Sequence, residues 1–155
     1  MINLIKNIFS NRKNNSDNEN HANSLGVELA YAALLIEVVK SDYEIDERES
    51  KKVLEILNKK LNSNYDDLHQ IMELAKNKSD EATSLYEFTR LINDEYVYEE
   101  KVEMIESMWN IAFSDQRLDK YEDYLIRKIA ELTYVSHSDF IKSKLKVKER
   151  SKIEE

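Results

Sequence analysis

The chain has 155 residues, one glycine, no proline, no cysteine, 35% charged residues and a formal charge of −8. Such poverty in turn formers excludes a turn-rich β fold, and the missing thiols exclude disulfides, thiolate metal sites and a cysteine nucleophile. An acidic body also opposes nucleic acid, whose phosphates must be met by lysine and arginine. The fold class expected is all-α: a single globular domain of about seven helices, preceded by a short N-terminal helix.

Met1 to Phe9 is a short amphipathic segment with Ile2, Ile5 and Phe9 at helical spacing. It is too short for a signal peptide, so a cytoplasmic location is expected, with peripheral membrane contact through residues 1–9 as an option. Ser10 to Asn23 is polar throughout and reads as a flexible linker, giving a first region of residues 1–23. The globular domain then spans residues 24–148, ahead of a charged tail at 149–155. Leu25 to Lys40 forms a strongly apolar helix, but its run from Ala30 to Val39 is interrupted by Glu37 and is well short of the roughly 20 residues that cross a bilayer.

Asp46 to Leu61 forms the second helix, with Val53, Ile56, Leu57 and Leu61 as its apolar stripe. Tyr65 to Lys76 and Ser79 to Asp94 form the third and fourth, with Ser79 at a helix start. The fifth runs through Met104, Met108, Ile111 and Ala112, with Trp109 as a core anchor. The sixth runs through Leu125, Ile126, Ile129 and Leu132. The last carries Phe140, Ile141 and Leu145, with Ser136 or Ser138 as its cap. Lys142, Lys144, Lys146, Lys148, Arg150 and Lys152 make this end basic. They suit either a helix end whose dipole attracts cations or a surface that meets phosphates or acidic lipid.

One acidic phrase occurs twice. Ser41-Asp42-Tyr43-Glu44-Ile45-Asp46-Glu47-Arg48-Glu49 recurs as Ser114-Asp115-Gln116-Arg117-Leu118-Asp119-Lys120-Tyr121-Glu122 at an offset of 73. Fixed-offset similarity marks a duplicated unit, here a carboxylate-rich corner between two helices. Two readings of it stand side by side. In the first, Asp46 with Glu49 and Asp119 with Glu122 are capping boxes, which leaves only Asp42 and Asp115 over. In the second, Asp42, Asp46, Glu49, Asp115, Asp119 and Glu122 bind metal, and all-oxygen ligands suit Ca²⁺ or Mg²⁺. A single corner lacks half the oxygens of an EF-hand loop, so a cation would need the two corners to face each other.

No catalytic constellation accompanies them. His21, His69 and His137 are scattered without metal-ligand spacing, and there is no phosphate loop, nucleophile elbow or zinc-protease motif. The expectation is a protein that is not an enzyme.

Three phrases carry a family resemblance. They are Leu34-Leu35-Ile36-Glu37-Val38-Val39-Lys40-Ser41-Asp42 with Ile45, Asp46 and Glu49; Leu85-Tyr86-Glu87-Phe88-Thr89-Arg90-Leu91-Ile92-Asn93; and Met108-Trp109 with Ala112-Phe113-Ser114-Asp115, Leu118-Asp119 and Leu125-Ile126-Arg127-Lys128. Over residues 25–147 the chain resembles the TerB-like tellurite resistance proteins. The resemblance implies an all-α domain with an internal repeat, an association with tellurite and other stress responses, and metal binding at the six acids above. It also implies action near membranes or in signalling assemblies. Glycine usually follows the family's first aspartate, whereas Tyr43 and Gln116 stand here and oppose tight wrapping of a cation. Direct tellurite chemistry has no thiol to perform it. The function expected is a non-enzymatic helical module holding a divalent cation at its corners. The alternative is a metal-free adaptor that binds a protein partner or a membrane.

Overall fold

The structure, a computed structural model, describes residues 16–41, 47–61, 65–114 and 118–153. The amphipathic segment at residues 1–9 therefore lies outside the described residues, as do Tyr43 and Gln116. Among the described residues there are seven helices and no strand: α1 (Ser16–Lys40), α2 (Glu47–Leu61), α3 (Tyr65–Glu81), α4 (Tyr86–Glu95), α5 (Tyr98–Ala112), α6 (Lys120–Leu132) and α7 (His137–Ile153).

From Ala30 to Ile36, α1 is buried at every position. A helix apolar on all sides belongs in the middle of a domain, and α1 packs against α2, α3, α4, α5 and α6. The second hub is α5, which packs on α1, α2, α6 and α7. Met104, Ile105, Met108, Trp109, Ile111 and Ala112 give it a wholly buried stripe. The duplication extends beyond the corner, because α5, α6 and α7 repeat α1, α2 and α3 at nearly the same offset, with α4 between the two units.

Trp109 is the expected anchor, fully buried with its ring centroid 5.3 Å from Phe140 and 5.9 Å from Phe113. The basic side chains of α7 are partly used inside the fold. Lys144 Nζ lies 2.7 Å from Asp123 and 5.2 Å from the Trp109 ring centroid. Glu106 on α5 takes Lys146 at 3.3 Å and a close contact from Arg150. At the other end of the helix Ser136 caps as expected, its Oγ accepting from Asp139 N at 3.1 Å. The Tyr98 hydroxyl donates to the Asp139 carboxylate and holds its pKa below the usual value.

Two expectations are corrected. The first helix begins at Ser16, inside the segment read as a flexible linker over residues 10–23. That reading asked whether the segment could bury apolar surface, but extending a helix already nucleated by α1 needs only one more hydrogen bond per residue. Ser79 does not start a helix either. It is the third residue from the end of α3 and is buried, its hydroxyl donating to Glu37 and accepting from Lys40 Nζ at 3.0 Å. Lys40 also reaches Asp80 at 2.8 Å, so this polar knot ties α1 to α3. The next helix starts only at Tyr86.

Candidate functional site

The helix ends that lead into the two acidic corners are closed by the same chemistry. Ser41 Oγ donates to Val38 O at 2.7 Å, and Ser114 Oγ donates to Ile111 O at 2.6 Å. Their backbone N–H groups donate to the same carbonyls at 3.3 and 3.1 Å. A serine that satisfies a terminal carbonyl stops the helix without glycine, which explains how this nearly glycine-free chain makes its corners. Val38 and Ile111, whose carbonyls are used, are both fully buried.

On the far side of each corner the helices also start alike. Glu49 and Glu122 are each the third residue of their helix, α2 and α6, and each is 0% exposed. Val53 and Ile126 lie one turn further along and are equally buried. A buried carboxylate is costly unless hydrogen-bond donors or a cation compensate it. Of the six expected ligands, Glu49, Asp119 and Glu122 are thus placed, while Asp42, Asp46 and Asp115 lie outside the described residues. Among the described residues no group of three acidic or histidine side chains converges as a metal site would require.

Asp119 performs the capping role that its spacing predicts. It sits in extended backbone before α6, and its Oδ1 accepts from Tyr121 N at 2.7 Å. Among the described residues Oδ2 has no hydrogen-bond partner. Glu122, three residues further on, is fully buried, as Glu49 is in the first unit. Two buried carboxylates at matching positions are therefore the unusual chemistry of the site.

Beside the corners runs a groove of about 840 Å³ between α2, α5 and the end of α7. Arg48, next to Glu49, and Ser114, next to Asp115, both line it, so the helix start of the first corner and the helix end before the second border the same cavity. Its floor includes Tyr31, Ile56, Met104 and Phe113. Burial raises the Tyr31 hydroxyl to a pKa of about 12, against a smaller lowering by a hydrogen bond with Ser107, while nearby Glu103 adds to the rise. Behind it, burial also raises Tyr96, and the Lys60 ammonium lies 5.0 and 4.6 Å from the two ring centroids. Sequence reasoning missed this groove, although Arg48, Lys51, Lys52 and Lys59 at spacings of three, four and eleven residues already place four cations on one face of α2.

Fold and corners together define a duplicated all-helical domain with a buried glutamate behind each corner. Among the described residues no helix is long and apolar enough to cross a membrane. The family model of the tellurite resistance protein TerB matches residues 28–145, and the chain belongs to that family. Comparison with curated proteins and with solved structures gave no match.

Proposed function

We propose that this TerB-family chain is a non-enzymatic helical module of the tellurite and stress response that binds a divalent cation, Ca²⁺ or Mg²⁺, at its acidic corners. The observation that carries the reading is the pair Glu49 and Glu122, fully buried at equivalent positions of the two units. Buried charges are paired or coordinate metals, and a carboxylate kept at the same buried position of both units argues for a task that a neutral side chain would not perform. One corner supplies too few oxygens, so the residues that would hold the cation come from both together: Glu49, Asp42 and Asp46 with Glu122, Asp115 and Asp119. Their donors are all oxygens, which suits hard cations and not thiophilic ones. The cation would supply positive charge that links a helix end to the next helix start. On the protein side, Asp119 keeps its cap through Oδ1 and offers Oδ2, while Ser114 sets where the chain leaves α5.

The test is calorimetric titration of chelator-treated protein with Ca²⁺, Mg²⁺ and Zn²⁺, beside an Asp46→Asn/Asp119→Asn double variant. Asparagine caps a helix about as well as aspartate, so the variant should keep its melting temperature in chelator. The wild type should bind Ca²⁺ or Mg²⁺ saturably, and the variant about tenfold more weakly, the equivalent of about 1.4 kcal/mol. At 100 times Kd the cation should stabilise the wild type by about 2.7 kcal/mol. No heat and no cation-dependent melting shift would reduce the corners to helix caps.

A further inference from the structure

The groove beside the corners contradicts the charge of the rest of the molecule. The chain carries a formal charge of −8, yet six cations line the groove (Arg48, Lys51, Lys52, Lys59, Lys60 and Arg150) against two carboxylates, Glu55 and Glu103. Local pairing accounts for only some of them. Lys52 lies 3.6 Å from Glu55, Lys60 stacks on two tyrosine rings and Arg150 meets Glu106. Lys51 and Lys59 are exposed and, among the described residues, have no ion-pair partner.

We propose that this groove receives an acidic, amphipathic segment of a partner protein, laid along α2. Charge complementarity names the sign of the occupant, and the shape of the site names its form. From Arg48 to Lys60 the cations extend over roughly 18 Å of helix, at 1.5 Å per residue. A row spaced by helical turns meets a row of carboxylates; a single phosphate would need the cations to converge on one point. Lysine dominates the row, and its flexible point charge tolerates carboxylates at variable distance better than a planar guanidinium does. Between the charged walls, the half-buried Ile56 and Phe113 offer the apolar strip that the hydrophobic stripe of such a segment requires. Ser107 and Asn110 add polar groups on the α5 side. A long nucleic acid leaving the groove would meet the acidic remainder of the body, which disfavours it. The proposal does not depend on a cation at the corners.

The probe is a synthetic amphipathic peptide with leucines at helical spacing and glutamates on its other faces. A second peptide has lysine for every glutamate, and a single-stranded oligonucleotide serves as a polyanion of another kind. Binding is read by fluorescence anisotropy, and by amide shift changes in ¹⁵N-labelled full chain, with chelator present throughout so that the outcome is separate from the cation reading. The glutamate peptide should bind saturably and shift amides of α2 and α5 along the groove. A Lys51→Glu/Lys59→Glu variant, altered only at exposed positions and checked for an unchanged melting temperature, should bind it at least about tenfold more weakly. Raising the salt should weaken wild-type binding in the same direction. Absence of binding, equal binding of the lysine peptide, shifts confined to other faces or an unaffected variant would each overturn the proposal. So would tighter binding of the oligonucleotide.

Discussion

The helices that follow the two corners, α2 and α6, agree inside and differ outside. Glu49 and Val53 of α2 are matched by Glu122 and Ile126 of α6, and all four are fully buried. At the same offset, Arg48 and Lys51 become Tyr121 and Tyr124, which are 53% and 65% exposed. One copy presents ammonium and guanidinium groups to solvent, and the other presents phenol rings. The preceding helices diverge in the same manner. Leu34 of the hub α1 is fully buried, while its counterpart Ser107 lines the groove. What the two units share is the part that closes the corner and fills the core; what separates them is the surface that a partner would meet. A row of cations on one unit and an aromatic face on the other are what a duplicated scaffold can acquire without disturbing its corners.

The deepest asymmetry lies in the core and should give the largest effect. Trp109 in α5 stands where α1 has Ile36; Trp109 is fully buried and Ile36 is 5% exposed. Trp109 also joins α5 to α7 through Phe140. Trp109→Ala should cost about 3–5 kcal/mol, and Ile36→Ala should fall toward the lower end of about 2–5 kcal/mol. Urea unfolding of both variants with unchanged m-values measures this, and equal losses would mean that α1 and α5 contribute alike to the core.

Tyr31 sharpens the comparison in the alkaline range, because its counterpart is Met104, which does not titrate. The folded chain holds the Tyr31 proton to a pKa of about 12, against 10.0 for an unperturbed tyrosine. Its contribution to stability is therefore complete below pH 10 and is lost as the pH rises from 10 to 12, where the unfolded chain ionises first. The loss from this residue should be on the order of 2–3 kcal/mol. Tyr31→Phe should flatten the decline without abolishing it, since Tyr96 is raised in the same direction. Chemical denaturation at pH 9, 10 and 11 reads the slope; an unchanged slope in the variant would place the titration elsewhere.

Much of this architecture was legible because it depends on local periodicity. The seven helices followed from apolar spacing, and Asp119 and Ser136 cap where a short oxygen-bearing side chain precedes a helical run. Burial of Glu49 and Glu122 was not legible, because the spacing Asp-x-x-Glu describes a surface cap equally well and only the packing around α1 and α5 decides between them. Ser79 misled for a related reason: a serine that caps and a serine buried beneath Lys40 are the same residue type in sequence. The groove was illegible in a different way, since much of its wall comes from α5, the residues just after it and α7, far along the chain from α2.

The smallest effect concerns how helices end. The corners stop α1 and α5 with serine hydroxyls; α6 ends on a threonine hydroxyl, Thr133 Oγ1 donating to Ile129 O at 2.8 Å, and adds a backbone motif of its own. Val135 N donates to Ala130 O at 2.9 Å and Tyr134 N to Glu131 O at 3.2 Å, the paired bonds of a Schellman motif. That motif needs a left-handed residue, and Tyr134 supplies it with φ of 61°. A tyrosine there carries a Cβ penalty that glycine would not, and its ring is 77% exposed, so little packing offsets the strain. Tyr134→Gly should therefore stabilise the chain by about 1 kcal/mol, raising the melting temperature by a few degrees. Lys101 lies 5.9 Å from the Tyr134 ring centroid, and loss of that weak contact should subtract only a fraction of the gain. Destabilisation instead would mean that the ring covers the end of α6 more effectively than its exposure implies, and that tyrosine stands there for packing and not despite its backbone.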